Sequence, residues 1–258
     1  MALFRKRGLG WHPDPVDSRD HSFDKLGLVR APAGLVSVKP HVLSVLDQGS
    51  TSSCVANAWE QGYRIRASLV GGEWRERWGL VLGSRLFGYR NARRTHGEEK
   101  KDEGTFLRSY AKAVNVFGRP PEHVWPFDAW KVNTPPSWNA YRLAFDVSGP
   151  QSYYRIEGWG PSRVQAIRAA LASGYPVVFG TPVSQKFLDL GPGSPPQAPP
   201  LNGSAWVGGH AMCLVSCDEA NNGEVVNSWG TGWGNAGFMK LTQEWLEWQE
   251  AADFWAVG

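Results

Sequence analysis

The chain changes texture at its midpoint, and this change limits the folds open to it. From Ser53 to about Val70, the residues Val55, Ala58, Trp59, Gly62, Ile65 and Leu69 recur at helical spacing. Ser52 or Ser53 can cap the start, and Gly71-Gly72 can stop it. A second helix is predicted near 78–93 and a third over Thr105–Phe117, closed by Gly118 and Pro120. The second half reads mostly as strand. Segments at Ser152–Glu157, Pro176–Thr181, Ala211–Cys217, Glu224–Asn227 and Gly237–Leu241 carry strand signals, with one helix over Pro161–Ser173. Helices in one half and strands in the other predict an α+β chain of two lobes, with a cleft between them. The expected organisation is an extended lead over 1–44, a helical lobe over 45–150 and a β-rich lobe over 151–258. Residues 125–150 read as Trp- and Pro-rich connection. The proline-rich stretch Gly191–Gly203 reads as a surface loop.

At 258 residues the chain can bury a sizeable core without staples. No apolar run approaches the roughly 20 residues needed to span a bilayer, so no membrane role is expected. A net charge of +3 gives no argument for nucleic acid. Fourteen Trp favour packing and wet aromatic surfaces. Of three cysteines, Cys213 and Cys217 share one strand face roughly 13 Å apart, too far to bridge. No disulfide is expected, and Met1–Gly10 lacks the apolar core of a secretory signal. The default compartment is therefore cytoplasmic. Arg5-Lys6-Arg7 reads as a solvated tail.

Cys54 stands at the first turn of a predicted helix, where unpaired N–H groups and the helix dipole favour a thiolate. His210 follows Gly208-Gly209 at the mouth of an apolar strand, where it can take a thiol proton and return it to a leaving amine. The other histidines lie in less informative places. His12, His21 and His41 fall in the irregular lead, His96 in a charged run, and His123 after two prolines. Asn227 can hold one ring nitrogen of His210, and Trp229 can shield that bond from water. Gln48, six residues before Cys54, can face a developing oxyanion together with the Cys54 N–H.

Together these stretches resemble the papain-like cysteine peptidases. Asp47-Gln48-Gly49-Ser50-Thr51-Ser52-Ser53-Cys54-Val55-Ala56 is similar to that family's Gln–Gly–Ser–x–x–Ser–Cys–x–Ala segment. Gly209-His210-Ala211-Met212 resembles its His–Ala strand. Asn227-Ser228-Trp229-Gly230-Thr231-Gly232-Trp233-Gly234-Asn235-Ala236-Gly237-Phe238 follows its Asn–Ser–Trp–Gly signature almost position for position. Cys54 is separated from His210 and Asn227 by somewhat more than the roughly 130–150 residues of papain-type enzymes. Insertions are therefore expected, the proline-rich loop being one candidate.

The resemblance implies a papain-like two-lobed fold, with a helical left lobe and an antiparallel β-sheet right lobe. Cys54 would be the nucleophile, His210 the acid/base, Asn227 the orienting group and Gln48 the oxyanion donor. Trp229, Ser52, Ser53 and Gly209 would be the binding positions. It further implies a peptide or protein substrate cleaved through a thioester, with no metal and no organic cofactor. Thr51 stands at a usual disulfide position, Ser52 replaces a Gly, and Val55 replaces the usual Trp. These departures keep two alternatives open: a catalytically weak binding or structural module of a larger assembly such as a virion, or a thiol amidase or transpeptidase. The lead carries Trp11, Pro13, Asp14, Arg19 and Asp20, similar to some bacterial members, and is too short for the usual inhibitory prodomain. It could still drape over the lobes. Asp102-Glu103-Gly104-Thr105 reads as a helix cap, with Thr105 the capping residue. Glu98 and Glu99 have no partner suggesting glycosidase chemistry, and no phosphate loop stands out.

Overall fold

The computed structural model describes residues 7–27, 33–71, 81–147 and 152–258. Arg5, Lys6, Gly72 and the first residues of the helix expected from 78 lie outside this set. The central element is α1, Cys54–Val70, buried on nearly every side through its first nine residues. Gly62 permits that burial. A Cβ there would lie 2.8 Å from Val257 of the facing sheet. Against α1 pack α2 (Arg85–Arg94) and α3 (Leu107–Phe117).

The second helix begins at Arg85 because the Ser84 side chain accepts from the Phe87 N–H, 3.2 Å. The third begins two residues later than expected. Thr105 does not cap it; Thr105–Phe106 form β3, which pairs in parallel with β1, Trp11–His12. The 125–150 stretch holds a helix, α4 (Trp138–Val147), that its Trp and Pro content concealed. Ser137 Oγ accepts from the Ala140 N–H, 3.2 Å, at its start.

The remaining strands form one antiparallel sheet. They are β2 (Val36–Ser37), β4 (Tyr153–Ile156), β5 (Val177–Ser184), β6 (Trp206–Cys217), β7 (Gly223–Val226), β8 (Phe238–Leu241) and β9 (Ala252–Val257). Their order is β4-β9-β5-β6-β7-β8, with β2 on β6. Helix α5 (Pro161–Ala172) and the short α6 (Gln185–Leu188) and α7 (Gln243–Glu247) flank the sheet. Strand β6 is longer than expected and runs from the loop after Gly203 through His210 into the core. Strand β9, not anticipated, sits inside the sheet between β4 and β5. Helices and sheet share one apolar core, to which Phe23, Val36 and Val38 of the lead also belong. At its described residues, Trp11 included, the lead is therefore a packed part of the fold.

Candidate active site

Cys54 opens α1, and its side chain is fully buried. Nearby backbone N–H groups, of Ala211 above all and then of Val55, Cys54 and Trp11, favour a thiolate there. Burial outweighs them and pushes the thiol up to about 12. His210 sits in β6 opposite Thr181 and is also fully buried. Its Nε2 lies 2.7 Å from Asn227 Oδ1. That oxygen also accepts the Ser228 N–H at 2.7 Å, which identifies it as the carbonyl end of the amide. Nε2 must then carry the proton, and Nδ1 is left as an acceptor. Nδ1 is buried without a hydrogen-bond partner. Burial drives the ring down to about 4, and the Asn227 bond offsets this only in part. Burial thus favours the neutral forms of both thiol and imidazole. Trp229 stacks on the imidazole, with centroids 4.2 Å apart and planes at 20°. His210 and Asn227 are both buried, so their contact is shielded from water.

Gln48 is buried and braced from three sides. Its N–H donates to Ser228 O (2.8 Å), its Oε1 accepts from Ser228 Oγ (2.6 Å), and its Nε2 donates to Thr51 O (2.8 Å). A second, longer Nε2 contact of 3.5 Å reaches Leu9 O. Ser52 is tied to Asp102 through both its N–H and its hydroxyl, 3.0 and 2.8 Å. Ser53 is buried, with its hydroxyl between Thr51 Oγ1 (2.7 Å) and Asn57 Nδ2 (3.1 Å), inside the helical lobe. Gly209 presents its carbonyl to the Gly10 N–H at 2.9 Å.

Sequence reasoning allowed the lead to drape over the lobes but did not place it in this seam. Residues 8–12 of the lead pass directly across it. Gly8 N–H donates to Gly49 O (2.9 Å), Trp229 Nε1 donates to Gly8 O (3.0 Å), and Thr105 N–H donates to Gly10 O (2.8 Å). Gly10 has φ +121°, and a Cβ on it would lie 2.1 Å from Ser52 O. Arg7 donates to Leu188 O and lies over the Trp229 ring, 5.7 Å from its centroid.

Behind the crossing, the lead is held by charges. Asp14 accepts from the Arg108 N–H (3.1 Å) and from Trp255 Nε1 (2.9 Å), and its own N–H donates to Asp253 Oδ2 (2.7 Å). Asp20 pairs with Arg108 Nε at 2.8 Å, and Arg155 NH2 with Asp253 Oδ1 at 2.9 Å. The Trp11–Asp14–Asp20 pattern was visible in the sequence; its partners on β4, β9 and α3 were not.

Among the described residues no group of His, Cys, Asp and Glu could hold a metal ion, and no helix is long and apolar enough to cross a membrane. Cys54, Cys213 and Cys217 are all free thiols.

No protein-family model matches the chain. The chain is 31% identical over 225 residues to an uncharacterized peptidase C1-like protein of Acanthamoeba polyphaga mimivirus, spanning 84% of this chain and 70% of that one. Its fold is similar to that of xylellain, a cysteine protease from Xylella fastidiosa. The TM-score is 0.82 and the identity 27%, over 100% of this chain and 98% of the other. It is also similar in fold to the bromelain protease of Ananas comosus, solved with the E64 inhibitor, at TM-score 0.65 and 17% identity, covering 87% and 98%. A sheet-and-helix frame of this kind, with a helix-start cysteine, an Asn-held histidine and these relatives, makes the chain a member of the papain-like, C1-type cysteine peptidases.

Proposed function

We propose that the chain hydrolyses peptide bonds through a thioester on Cys54, with His210 as acid and base. The observation that carries this reading is the His210 tautomer. Asn227 holds the Nε2 proton, so the unpartnered Nδ1 is the nitrogen available to a thiol. In the reaction, Nδ1 takes the Cys54 proton and the sulfur attacks the substrate carbonyl carbon. The carbonyl electrons move to oxygen, and that oxyanion is met by the Cys54 N–H and Gln48 Nε2. The C–N bond then breaks, the imidazolium returns its proton to the leaving amine, and a thioester remains. Water, deprotonated by Nδ1, attacks the thioester carbonyl, and the C–S bond breaks to free the acid and the thiol. Trp229 keeps the His210–Asn227 bond dry.

The lead stands where a peptide would lie. The Leu9 carbonyl is near the Gln48 donor, and the Gly10 N–H is on Gly209 O. We read the described conformation as the closed form of the enzyme, in which burial by residues 8–12 keeps Cys54 and His210 neutral. Turnover requires this segment to leave. The test is Cys54→Ala in a preparation free of other proteases. Peptidase activity should fall to background, and retention of full activity would contradict the reading.

A further inference from the structure

The two donors assigned above to the oxyanion come from different segments, and one guanidinium spans the distance between them. Gln48 is tied to the sheet side through Ser228, whereas the Cys54 N–H belongs to α1. Arg85, at the start of α2, reaches both segments with NH1. That nitrogen donates to the Asp47 carbonyl, 3.1 Å away, and to Asn57 Oδ1, 2.9 Å away. Asp47 immediately precedes Gln48. Asn57 lies one turn into α1, where its Nδ2 donates back to Ser53 O at 2.9 Å and to Ser53 Oγ at 3.1 Å, and Ser53 precedes Cys54. Gln48, Ser53 and Asn57 are fully buried and Arg85 nearly so, which keeps water from competing for these bonds. The guanidinium is itself fixed from behind. Glu122 Oε1 accepts from its Nε at 3.0 Å and its NH2 at 2.6 Å, and Glu122 Oε2 accepts the Arg85 backbone N–H at 3.0 Å. The Arg85 Cζ also lies over the Phe127 ring, 4.0 Å from its centroid.

We propose that Arg85 is a positioning residue of the oxyanion site: through Asp47 and Asn57 it sets where the Gln48 amide stands relative to the Cys54 N–H. The inference rests on the peptidase reading above. Arg85 acts through Gln48 and not on the thiol or the imidazole, since its hydrogen bonds run to Asp47, Asn57 and Glu122. An oxyanion donor works only within about 2.7–3.1 Å of the developing charge, so a drift of about 1 Å forfeits most of its effect. Lysine cannot take over this task. Holding a carboxylate along one edge while NH1 reaches two further oxygens needs the planar, rigid fork of arginine.

The test uses full-length protein carrying Gly10→Val, because turnover requires the lead to leave the seam. Rates are expressed per Cys54 sulfur labelled in the fast phase of reaction with iodoacetamide, so molecules that remain closed are not counted. In this background Arg85→Met should lower kcat for a blocked peptide amide about 10- to 100-fold, with KM within about threefold. Cys54 alkylation forms no oxyanion, so its rate and pH profile should stay within about twofold. Arg85→Lys should not restore kcat. Added to Gln48→Ala, which removes the donor, Arg85→Met should lower kcat by less than about threefold more. An arginine that only stabilises the fold would slow alkylation along with hydrolysis and would add its full loss to that of Gln48→Ala. Either result overturns the proposal, as does an unchanged kcat, and the peptidase reading stands in all three cases. Glu122→Gln loosens the guanidinium without removing it. If Arg85→Met does not fold, Glu122→Gln goes through the same cycle, with a kcat loss of at least about threefold that vanishes in Gln48→Ala. Gly10→Val protein whose Cys54 alkylates fast but which hydrolyses no peptide sinks the peptidase reading and the proposal with it.

Discussion

At the scale of single residues the account turns on hydrogen positions. In the proposed mechanism Asn227 keeps the proton on Nε2 of His210, through the 2.7 Å contact of its Oδ1. Asn227→Ala should therefore lower kcat by about 10- to 100-fold with little change in KM, as expected when a group acts on the chemical step and not on binding. A change confined to KM would contradict it. Gly10 is the matching position on the lead. Its φ of +121° and the 2.1 Å approach of a Cβ to Ser52 O leave no room for a branched residue. Gly10→Val should expel the crossing segment. Iodoacetamide should then label Cys54 at least tenfold faster than in the wild type; an unchanged rate would show that the crossing does not guard the sulfur.

At the scale of elements, the seating of the lead carries two opposed pH terms. Burial, then the facing Asp253 carboxylate, raises Asp14 to about 7, against the pull of Arg108 and the Trp255 indole. Arg155 and Asp20 complete the charges around it. The seated lead holds this proton more tightly than a free one, whose carboxyl titrates near 3.9. That contribution is therefore fully present below the free value and is lost as pH rises through about 7. His210, driven down to about 4, works the other way: its contribution is present above about 6.5 and is lost as pH falls toward 4. The two nearly offset each other over the same window. Asp14→Asn removes the first. The Cys54 alkylation rate of the wild type, divided by that of Asp14→Asn at each pH, should climb between about pH 4 and pH 7 and level off above that. A flat ratio would show that Asp14 does not gate the lead.

The same contrast explains what was legible. Helix α1 and the His210 strand announce themselves because their signals are local: helical spacing, a terminal glycine, an apolar run after a glycine pair. The seating of the lead depends on partners such as Thr105 and Asp253, more than 90 residues away in sequence, and no periodicity over two residues encodes that. Thr105 looks like a cap in isolation and becomes strand because Trp11 pairs with it. Strand β9 escaped notice because Asp253, at positive φ, interrupts the alternation a strand would show.

At the scale of the whole molecule, the chemistry is assembled from distant thirds of the chain and locked by bonds that cross the seam. The Ser228 hydroxyl reaches Gln48, the Trp229 indole reaches Gly8, and one core runs through helices and sheet. Cys213 and Cys217 are buried in the sheet, and burial raises both thiols, as it does Cys54 while the lead is seated. The most direct measurement is therefore covalent labelling of the full-length protein with an epoxide thiol-protease inhibitor, followed by peptide mapping of the wild type, Gly10→Val and Gly10→Val/His210→Ala. The account predicts a single adduct on Cys54, formed faster in Gly10→Val and nearly abolished when His210 is removed. Labelling of Cys54 that is indifferent to His210, or an adduct on Cys213 or Cys217 in its place, would contradict it.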